Sequence, residues 1–386
     1  MERGGRHEVG KAKISRRRFM VQSAATGLGV AAAGLVSLER GRAAGPDKVR
    51  WISPRGTLQV MDDFNLWVPS KMGYFKTLGI EAELIAGPIG DALATTKFVG
   101  QNQADMGYPS PGVLTASLDG GVPVKSVWDV ISGQVFDFAV RKGSPLRSPK
   151  ELAGKTISLG SVGWQTIVDP MLLEIGVDPK SVKYVVLGPE WIQAAATGKA
   201  DAALAWEGLR NQWLGQGLKL DFMIGSTWSK HPSNVYAVRR DDLKDPAKTD
   251  AYTRFLQGMV MGLEFTKANP RAAAQITYRQ LPELQKTLQP QMALFSMLEL
   301  AQAYATSHRH GQPWGWHYTD GWKLYLGTVY KLGQIKKALT TDEVYTNDLV
   351  VSANKKADRA RAIADARQFT LDSDFAKTEV WQGFSM

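Results

Sequence analysis

The chain of 386 residues contains no cysteine and few histidines. Without cysteine it cannot form a disulfide, a cysteine-ligated metal site, a thiol nucleophile or a lipid anchor on a cysteine. Three of its five histidines lie at positions 308, 310 and 317, where no acidic residue occurs between 308 and 317. We therefore expect this segment to rim a cleft or to pack between helices, and we expect neither a metal ion nor another cofactor.

Common catalytic motifs are missing as well. The sequence has no Gly-x-Ser-x-Gly nucleophile motif and no phosphate-binding loop. Gly27-Leu28-Gly29 lies in the N-terminal segment rather than between a strand and a helix. Because nothing points to hydrolase or nucleotide chemistry, we expect the protein not to be an enzyme.

The N-terminal segment has the features of an export signal. Arg16 and Arg17 precede a weakly apolar stretch, 21–38, and small residues follow at Ala43 and Ala44. A twin-arginine pair before such a stretch is typical of leaders that direct folded proteins across the inner membrane. The stretch contains three glycines and four polar residues, which disfavours a transmembrane helix. We therefore predict a twin-arginine signal peptide that is cleaved near Ala43 or Ala44.

Most of the positive charge lies in this leader. The whole chain has a formal net charge of +10, but residues 1–44 hold nine of its 47 Lys and Arg and three of its 37 Asp and Glu. The remaining 38 basic and 34 acidic residues form no basic stripe with interleaved aromatic residues, so we expect no nucleic-acid partner. An exported protein without a lipid anchor is retained by a second membrane, which predicts the periplasm. Outright secretion is the alternative.

Beyond the leader, apolar residues alternate between the spacing of strands and that of amphipathic helices. The pattern predicts two βα repeats, 48–130 and 155–225, each typical of a mostly parallel sheet flanked by helices. The predicted strands are Val49–Ile52, Glu81–Ile85, Ala104–Gly107, Val122–Val130, Lys155–Leu159, Val182–Leu187, Asp201–Ala205 and Leu218–Ile224. From about 247 the spacing is helical, and these helices are expected to pack on the first repeat. The last of them, over 357–369, is rich in Arg and Asp and is expected to have a solvated face.

Two short motifs recur at nearly the same offset. Phe138-Ala139-Val140-Arg141 recurs as Tyr236-Ala237-Val238-Arg239, and Ala104-Asp105 recurs as Ala200-Asp201. Each motif occupies the same point of its repeat, which indicates a duplicated layout. If the chain crosses between lobes at the two tetrapeptides, one lobe comprises 48–139 and 237–386 and the other comprises 140–236, joined by a two-strand hinge.

A series of further motifs runs through the chain. They are Gly73-Tyr74-Phe75-Lys76 with Leu78-Gly79-Ile80, Ala104-Asp105-Met106-Gly107, Gly121-Val122-Pro123-Val124, Lys150-Glu151-Leu152-Ala153-Gly154-Lys155, Ile175-Gly176-Val177-Asp178-Pro179, Thr197-Gly198-Lys199-Ala200-Asp201 and Val344-Tyr345-Thr346-Asn347-Asp348. In order and spacing the chain resembles the nitrate, sulfonate and taurine type of periplasmic substrate-binding protein. That family feeds ATP-binding-cassette (ABC) importers and shares a superfamily with thiamine-pyrimidine synthases.

The resemblance implies an α/β fold of the two-lobed, type II periplasmic-binding kind. It also implies a monomer that closes on one small-molecule ligand and delivers it to an ABC permease in the inner membrane. Ligands of open α/β sheets lie beyond the carboxyl ends of the strands, so two facing lobes place two such rims across one cleft. A ligand that drives closure must contact both lobes.

The ends of the predicted strands indicate which residues face this cleft. The candidate ligand-binding residues are Arg55, Met61, Asp62, Gly90, Asp91, Tyr108, Ser110, Ser161, Trp164, Trp206 and Glu207. Each type has a structural alternative, because aspartate and serine cap helices and aromatic rings pack in cores. Glu207 has the alternative of an exposed helix face.

The charges of these candidates bear on the ligand. Arg55 and the serines suit nitrate or a sulfonate, but Asp62, Asp91 and Glu207 would repel an anion in a desolvated cleft. We therefore favour a solute with a cationic or hydrogen-bond-donating part and a flat ring that a tryptophan covers, such as an aromatic amine or a pyrimidine. A sulfonate-like or taurine-like solute is the alternative.

Two other roles stay open at this stage. A solute-binding domain of this type can dock on a membrane receptor as a sensor instead of feeding a permease. The same superfamily includes fungal enzymes that make the thiamine pyrimidine and use a cysteine-rich segment, which this chain lacks. Capture of a permease or of a sensor kinase separates the first two roles, and turnover of a bound molecule would indicate an enzyme.

The leader gives a first testable prediction. Replacing Arg16 and Arg17 together by Lys should abolish export, because the pathway reads the arginine pair. Cell fractionation should then find the protein in the cytoplasm with its leader uncut. Normal export of this double variant would count against the predicted signal.

Overall fold

A computed structural model describes residues 45–379, except for 89, 90, 92 and 308–310. The predicted signal peptide over 1–44 lies outside the described residues and stays a prediction. Within the described ranges, no helix combines the length and the apolar character that crossing a membrane requires.

Ten strands form two five-stranded sheets in this part of the chain. The first sheet contains β1 Asp47–Ile52, β2 Ile80–Ile85, β3 Met106–Gly107, β4 Val124–Asp129 and β10 Val235–Arg239. The second sheet contains β5 Phe136–Arg141, β6 Thr156–Leu159, β7 Lys183–Val186, β8 Ala202–Trp206 and β9 Leu220–Met223. The strands predicted from the spacing are all present, with ends displaced by two residues or fewer.

The two sheets have the same layout. The order is β2-β1-β3-β10-β4 in the first sheet and β7-β6-β8-β5-β9 in the second. In each sheet the fourth strand is antiparallel to both neighbours, and the other pairings are parallel. The prediction of a two-lobed α/β fold with mostly parallel sheets is confirmed.

Sixteen helices surround these sheets within the described residues. They are α1 Phe64–Lys71, α2 Tyr74–Thr77, α3 Ala94–Gly100, α4 Pro111–Asp119, α5 Gln165–Glu174, α6 Trp191–Thr197, α7 Glu207–Gly215, α8 Pro246–Ala268, α9 Pro270–Arg279, α10 Pro282–Gln285, α11 Pro290–Ser307, α12 Thr319–Lys331, α13 Thr341–Val344, α14 Asp348–Lys356, α15 Arg359–Gln368 and α16 Ser373–Lys377. Proline opens α4, α8, α9 and α10, because its fixed φ and missing N–H suit the first helical turn.

One helix predicted from the sequence is divided. The spacing over 63–77 predicts a continuous helix, but the structure has α1 and α2 with a turn between them. Gly73 in this turn has φ 72°, a left-handed conformation that ends α1. The turn sets α2 against α8, where the Phe75 and Phe255 rings stack with their centroids 4.9 Å apart.

The recurring motifs occupy equivalent strands. The two tetrapeptides end β5 and β10, the fourth strand of each sheet, and the Ala-Asp pairs precede β3 and β8, the third. Asp105 accepts a hydrogen bond from the Arg50 amide at 3.0 Å, and Asp201 accepts one from the Thr156 amide at 2.8 Å. An aspartate just before the third strand of each sheet therefore bonds to the second strand of that sheet. This equivalence supports the duplicated layout.

The chain passes between the sheets twice. It leaves the first sheet after β4 and returns before β10, so the crossings are the loops 130–135 and 224–234. β5 therefore belongs wholly to the second sheet and β10 wholly to the first. We propose that the lobes divide within these loops, a few residues before the predicted boundaries at 139/140 and 236/237.

The C-terminal helices do not all pack on the first lobe. α8 packs there against α1, β1 and β2, whereas α11 packs against both α9 and α7 and so bridges the lobes. A Cβ at Gly215 of α7 would lie 2.6 Å from Cγ of Met292 in α11, which shows how closely these helices approach. α15 buries Ala362 and Ala366 and packs against α8, while its charged residues stay exposed or half-buried, as the predicted solvated face requires.

The paired aspartates give a stability prediction. Asp105 is buried and also accepts hydrogen bonds from Nε and Nη2 of Arg50 at 2.9 and 3.1 Å, whereas Asp201 is exposed. We expect Asp105→Ala to lower the free energy of unfolding by about 3 kcal/mol and Asp201→Ala by about 1 kcal/mol. Urea unfolding at pH 7 is the measurement, and equal losses would be inconsistent with this difference in burial.

The same residue has a defined pH dependence. Burial raises the pKa of Asp105, but the hydrogen bonds from Arg50 outweigh it and hold the pKa below the ordinary value of 3.8. The stabilisation is therefore complete above pH 3.8 and is lost as the pH falls through the lower folded-state pKa. In acid, the difference in stability between the protein and Asp105→Ala should close.

Candidate ligand-binding site

A cleft lies between the two sheets at the carboxyl ends of β1, β3 and β8. Arg55 follows β1, Tyr108 follows β3 and Trp206 ends β8, and all three line the cleft. It holds about 760 Å³ of empty space, part of it open to solvent. Its lining therefore comes from both lobes, as closure on a ligand requires.

Seven of the eleven predicted residues line this cleft. They are Arg55, Asp62, Tyr108, Ser110, Trp164, Trp206 and Glu207. Ser110 also caps α4, because its hydroxyl accepts a hydrogen bond from the Val113 amide at 3.3 Å. Ser110 thus lines the cleft and also caps a helix.

The other four predicted residues lie elsewhere or outside the described part. Met61 is fully buried in the hydrophobic core. Asp91 is exposed and accepts a hydrogen bond from the Leu93 amide at 3.1 Å, which is its capping alternative. Ser161 caps the short helix Val162–Trp164. Gly90 lies outside the described residues.

Arg55 is already engaged by two aspartates. Its Nη2 donates a short hydrogen bond to Asp63, and its Nη1 lies 3.6 Å from Oδ2 of Asp62. The guanidinium lies over the Tyr108 ring, 5.6 Å from its centroid. The Arg55 side chain is 12% exposed, so its charge is compensated inside the protein and an anionic ligand would have to compete with both carboxylates.

Asp62 links the two lobes. Nε1 of Trp206, at the end of β8, donates a hydrogen bond to Oδ2 of Asp62 at 2.8 Å. Oδ1 of Asp62 is buried without a hydrogen-bond partner and faces Gly208. Burial raises the pKa of Asp62 to about 6, with Arg55 opposing the shift and Asp63 adding to it. Oδ1 of this carboxyl is thus an acceptor that lacks a donor, while Oδ2 accepts from Trp206.

Tryptophan rings form one wall of the cleft. The Trp164 and Trp206 rings line it and meet edge to face, with centroids 5.6 Å apart and planes at 89°. Behind them Trp191 stacks on Trp206 at 6.0 Å. A Cβ at Gly160 would lie 2.6 Å from the Trp164 ring, so this glycine makes room for it. The wall offers flat apolar surface to a planar ligand.

Glu207 brings a further carboxyl to the cleft. It is the first residue of α7, is 5% exposed and lines the cavity. Nearby, Arg210 pairs with Asp137 at 2.9 Å and with Glu299 at 2.8 Å. Burial raises the pKa of Glu207 well above its ordinary value, Asp137 adds to the shift and Arg210 opposes it.

Sequence reasoning missed several lining residues. Asn234 lines the cleft from the second crossing loop, and its Oδ1 is buried without a hydrogen-bond partner. Its position two residues before the recurring Tyr236 motif was the available signal, because a crossing loop borders the cleft. Tyr304 of α11 also lines the cleft. No local pattern distinguishes it from the other apolar positions of that helix.

The histidine-rich segment packs beneath the first sheet where it is described. Nε2 of His317 lies 2.6 Å from Oγ of Ser126, and Nδ1 lies 2.8 Å from Oδ1 of Asn347. The imidazole is buried and stacks on the Tyr345 ring, with centroids 4.5 Å apart. Both ring nitrogens are thus engaged in hydrogen bonds, while the histidines at 308 and 310 lie outside the described residues.

Gly208 tests the contact between the lobes. A Cβ at Gly208 would lie 1.7 Å from Oδ1 of Asp62, so Gly208→Ala must displace that carboxyl from Trp206. We expect the free energy of unfolding to fall by about 2 kcal/mol. Gly327→Ala is the matched control, because a Cβ there meets nothing within 4 Å and an exposed helical alanine adds up to about 1 kcal/mol. The measurement is urea unfolding. Equal free energies of unfolding for the two variants would show that Asp62 does not occupy this position.

Comparison with known proteins agrees with this architecture. The chain is 27% identical over 214 residues to a protein of Haemophilus influenzae named for thiamine biosynthesis, covering 54% of this chain and 66% of that protein. It is 22% identical over 267 residues to the riboflavin-binding protein RibY of Chloroflexus aurantiacus, covering 64% and 73% of the two chains. The chain thus spans about two thirds of the length of the first relative.

Solved structures confirm the predicted fold. The alkanesulfonate-binding protein SsuA of Xanthomonas axonopodis pv. citri, bound to MOPS, has a TM-score of 0.59 at 13% identity, covering 79% of this chain and 99% of that chain. The family model described as NMT1/THI5 like matches residues 64–273, which is more than half of the sequence. The chain therefore belongs to the NMT1/THI5-like family.

Proposed function

We propose that the protein is the periplasmic solute-binding component of an ABC importer. It captures a small solute with a flat, nitrogen-containing ring in the cleft between its lobes and delivers it to a permease in the inner membrane. The proposal rests on the composition of the cleft. Tryptophan rings form one wall, and buried carboxyl acceptors surround an arginine that is already paired. No catalytic step is part of the proposal.

The electrostatics of the cleft favour a donor or a cation over an anion. Arg55 is compensated by Asp62 and Asp63, so it has little charge left for a sulfonate or nitrate. Glu207 adds a carboxyl to the same cavity. These carboxyls are buried, and an anion beside them would lose hydration without gaining a partner. An amino or ring N–H group instead satisfies acceptors that lack donors.

The aromatic wall favours a planar ring. Trp164 and Trp206 present faces and edges to the cavity, where a heteroaromatic ring gains both area and stacking energy. Riboflavin, named for one relative, carries a flat nitrogen-containing ring, and thiamine, named for the other, carries a pyrimidine. These names support the same class of ligand for this chain.

The predicted leader supports the proposed location, and the fold supports the proposed permease partner. A twin-arginine signal that ends near Ala43 or Ala44 would place the mature protein in the periplasm, where we propose that it acts as a monomer. A sensor role at a membrane receptor is the alternative, and capture of a permease rather than a sensor kinase decides between them. An enzyme is the remaining alternative, because one relative is named for thiamine biosynthesis. The chain has no cysteine, however, to supply the cysteine-rich segment of the related synthases.

A thermal-shift screen tests the ligand class. The panel should contain 4-aminopyrimidine, 1-methylnicotinamide, riboflavin, taurine, methanesulfonate and nitrate. A ligand at a hundred times its Kd stabilises the folded state by about 2.7 kcal/mol, which raises Tm by several degrees. We expect the nitrogen heterocycles to raise Tm, and the two sulfonates (zwitterionic taurine and anionic methanesulfonate) and nitrate to leave it unchanged. A shift with taurine or methanesulfonate alone would reverse the assignment.

Charge removal in the cleft tests the role of Glu207. For a cationic ring ligand, Glu207→Gln should weaken binding by about tenfold or more at pH 8, since a desolvated ion pair is lost. Glu190→Gln is the matched control, because that residue is exposed on the same lobe. Calorimetric titration measures both variants. Equal affinities for Glu207→Gln and the control would remove Glu207 from the site.

A further inference from the structure

The buried charges around Arg210 do not balance. Three carboxyls lie near this guanidinium, from Asp137 in β5, Glu207 in α7 and Glu299 in α11. Asp137 is 1% exposed and Glu207 is 5% exposed. Arg210 is itself 16% exposed and is paired with Asp137 and Glu299, whereas Glu207 forms no ion pair with any described residue. Glu207 is therefore the carboxyl left without a countercharge.

The neighbouring residues do not supply the missing charge. On the side of the first lobe, Asp62 faces the same cavity and adds negative charge, while Arg55 is held by Asp62 and Asp63. If all these carboxyls were ionised, the two guanidiniums would face an excess of negative charge in a largely desolvated junction. Such an excess is relieved by protonation, because burying an unpaired charge costs several kcal/mol.

The cluster also spans the two lobes. Glu299 belongs to α11, which packs on α9 of the first lobe, and Arg210 belongs to α7 of the second. Nδ2 of the Asn211 side chain donates a hydrogen bond to Glu299 at 2.8 Å, and the backbone N–H of Gly225 donates one to Asp137 at 2.7 Å. These bonds fix Asp137 and Glu299 on the Arg210 side. Glu207 instead belongs to the lining of the cleft.

We propose that Glu207 is a proton-exchange site: the empty cleft keeps its carboxyl protonated at neutral pH, and a cationic ligand replaces that proton. The exchange is balanced, because the acid loses one proton to the solvent while the ligand cation takes its place beside the carboxylate. This inference rests on the proposed function for the ligand, but the protonated state of the empty cleft does not.

Burial effects agree with this assignment. Burial raises the pKa of Glu299 to about 8, with Arg210 opposing and Asp137 adding to the shift, and it raises the pKa of Glu207 well above its ordinary value of 4.5. In the unfolded chain Glu207 ionises near that ordinary value. A pKa raised by folding means that the contribution of Glu207 to stability is complete below its ordinary pKa of 4.5 and is lost as the pH rises through the folded-state pKa.

The first experiment needs no ligand. One bound proton corresponds to a tenfold change in the unfolding equilibrium constant per pH unit. Urea unfolding of the protein and of Glu207→Gln should be measured between pH 5 and 8. The unfolding constant of the protein divided by that of the variant should rise about tenfold per pH unit, because only the protein loses this proton on unfolding. Glu190→Gln, the exposed control, should show a constant ratio. A constant ratio for Glu207→Gln as well would overturn the proposal.

The second experiment tests the exchange itself. The probe is 1-methylnicotinamide, a permanent cation, with neutral nicotinamide as its matched control. We expect affinity for the cation to rise about tenfold per pH unit between pH 6 and 8 in the protein and to be flat in Glu207→Gln. Affinity for nicotinamide should not rise. A flat profile for the bound cation would overturn the exchange.

The two results separate this inference from the proposed function. If the cation fails to bind at every pH while the unfolding ratio still rises, the exchange and the proposed ligand class both fall, and the protonated Glu207 stands. If heterocycles bind but the unfolding ratio is constant, the proposed function stands and the proton-exchange site falls.

Discussion

The cleft depends on one electrostatic constraint, which is the burial of more carboxyls than guanidiniums where the lobes meet. Arg55, which lines the cavity, is paired with Asp62 and Asp63, and Arg210 is paired with Asp137 and Glu299. Both guanidiniums are thus already paired, and Glu207 forms no ion pair with any residue that the structure describes. Under the proposed function, the ligand of this chain would differ in charge from the one named for a fold relative that binds alkanesulfonates. The same scaffold can serve opposite ligand charges because the lining residues, rather than the sheets, set the potential.

The duplicated sheets place these groups. In each sheet the fourth strand comes from the part of the chain that follows a crossing, so both crossing loops border the cleft. The carboxyl ends of the parallel strands then face each other, with Arg55 and Tyr108 on one rim and Trp206 on the other. The bridging helix α11 adds contacts from a distant part of the chain. Together they hold the acceptors of the cavity in fixed positions, which reduces the ordering that a ligand must induce.

Much of this fold could be predicted, because strand and helix spacing is a local property of the sequence. The strands lie within two residues of their predicted ends, and the recurring motifs occupy equivalent places. The exceptions have local or distant causes. One glycine at position 73 divides a helix whose apolar spacing continues through it. The contact of α11 with the second lobe was not predicted, because apolar spacing shows that a face is buried but not what covers it.

The sequence by itself determined the α/β class, the two repeats, the strand ends that border the cleft and the absence of thiol chemistry, since each depends on residue type and spacing. The tertiary structure decided which candidates line the cavity, which cap helices and which charges cancel. Asp62 and Trp206 are 144 positions apart in the chain, yet they share a hydrogen bond between the lobes. Desolvation and Coulomb energies depend on distances in space, so the charge of the cleft could not be read from the order of its residues.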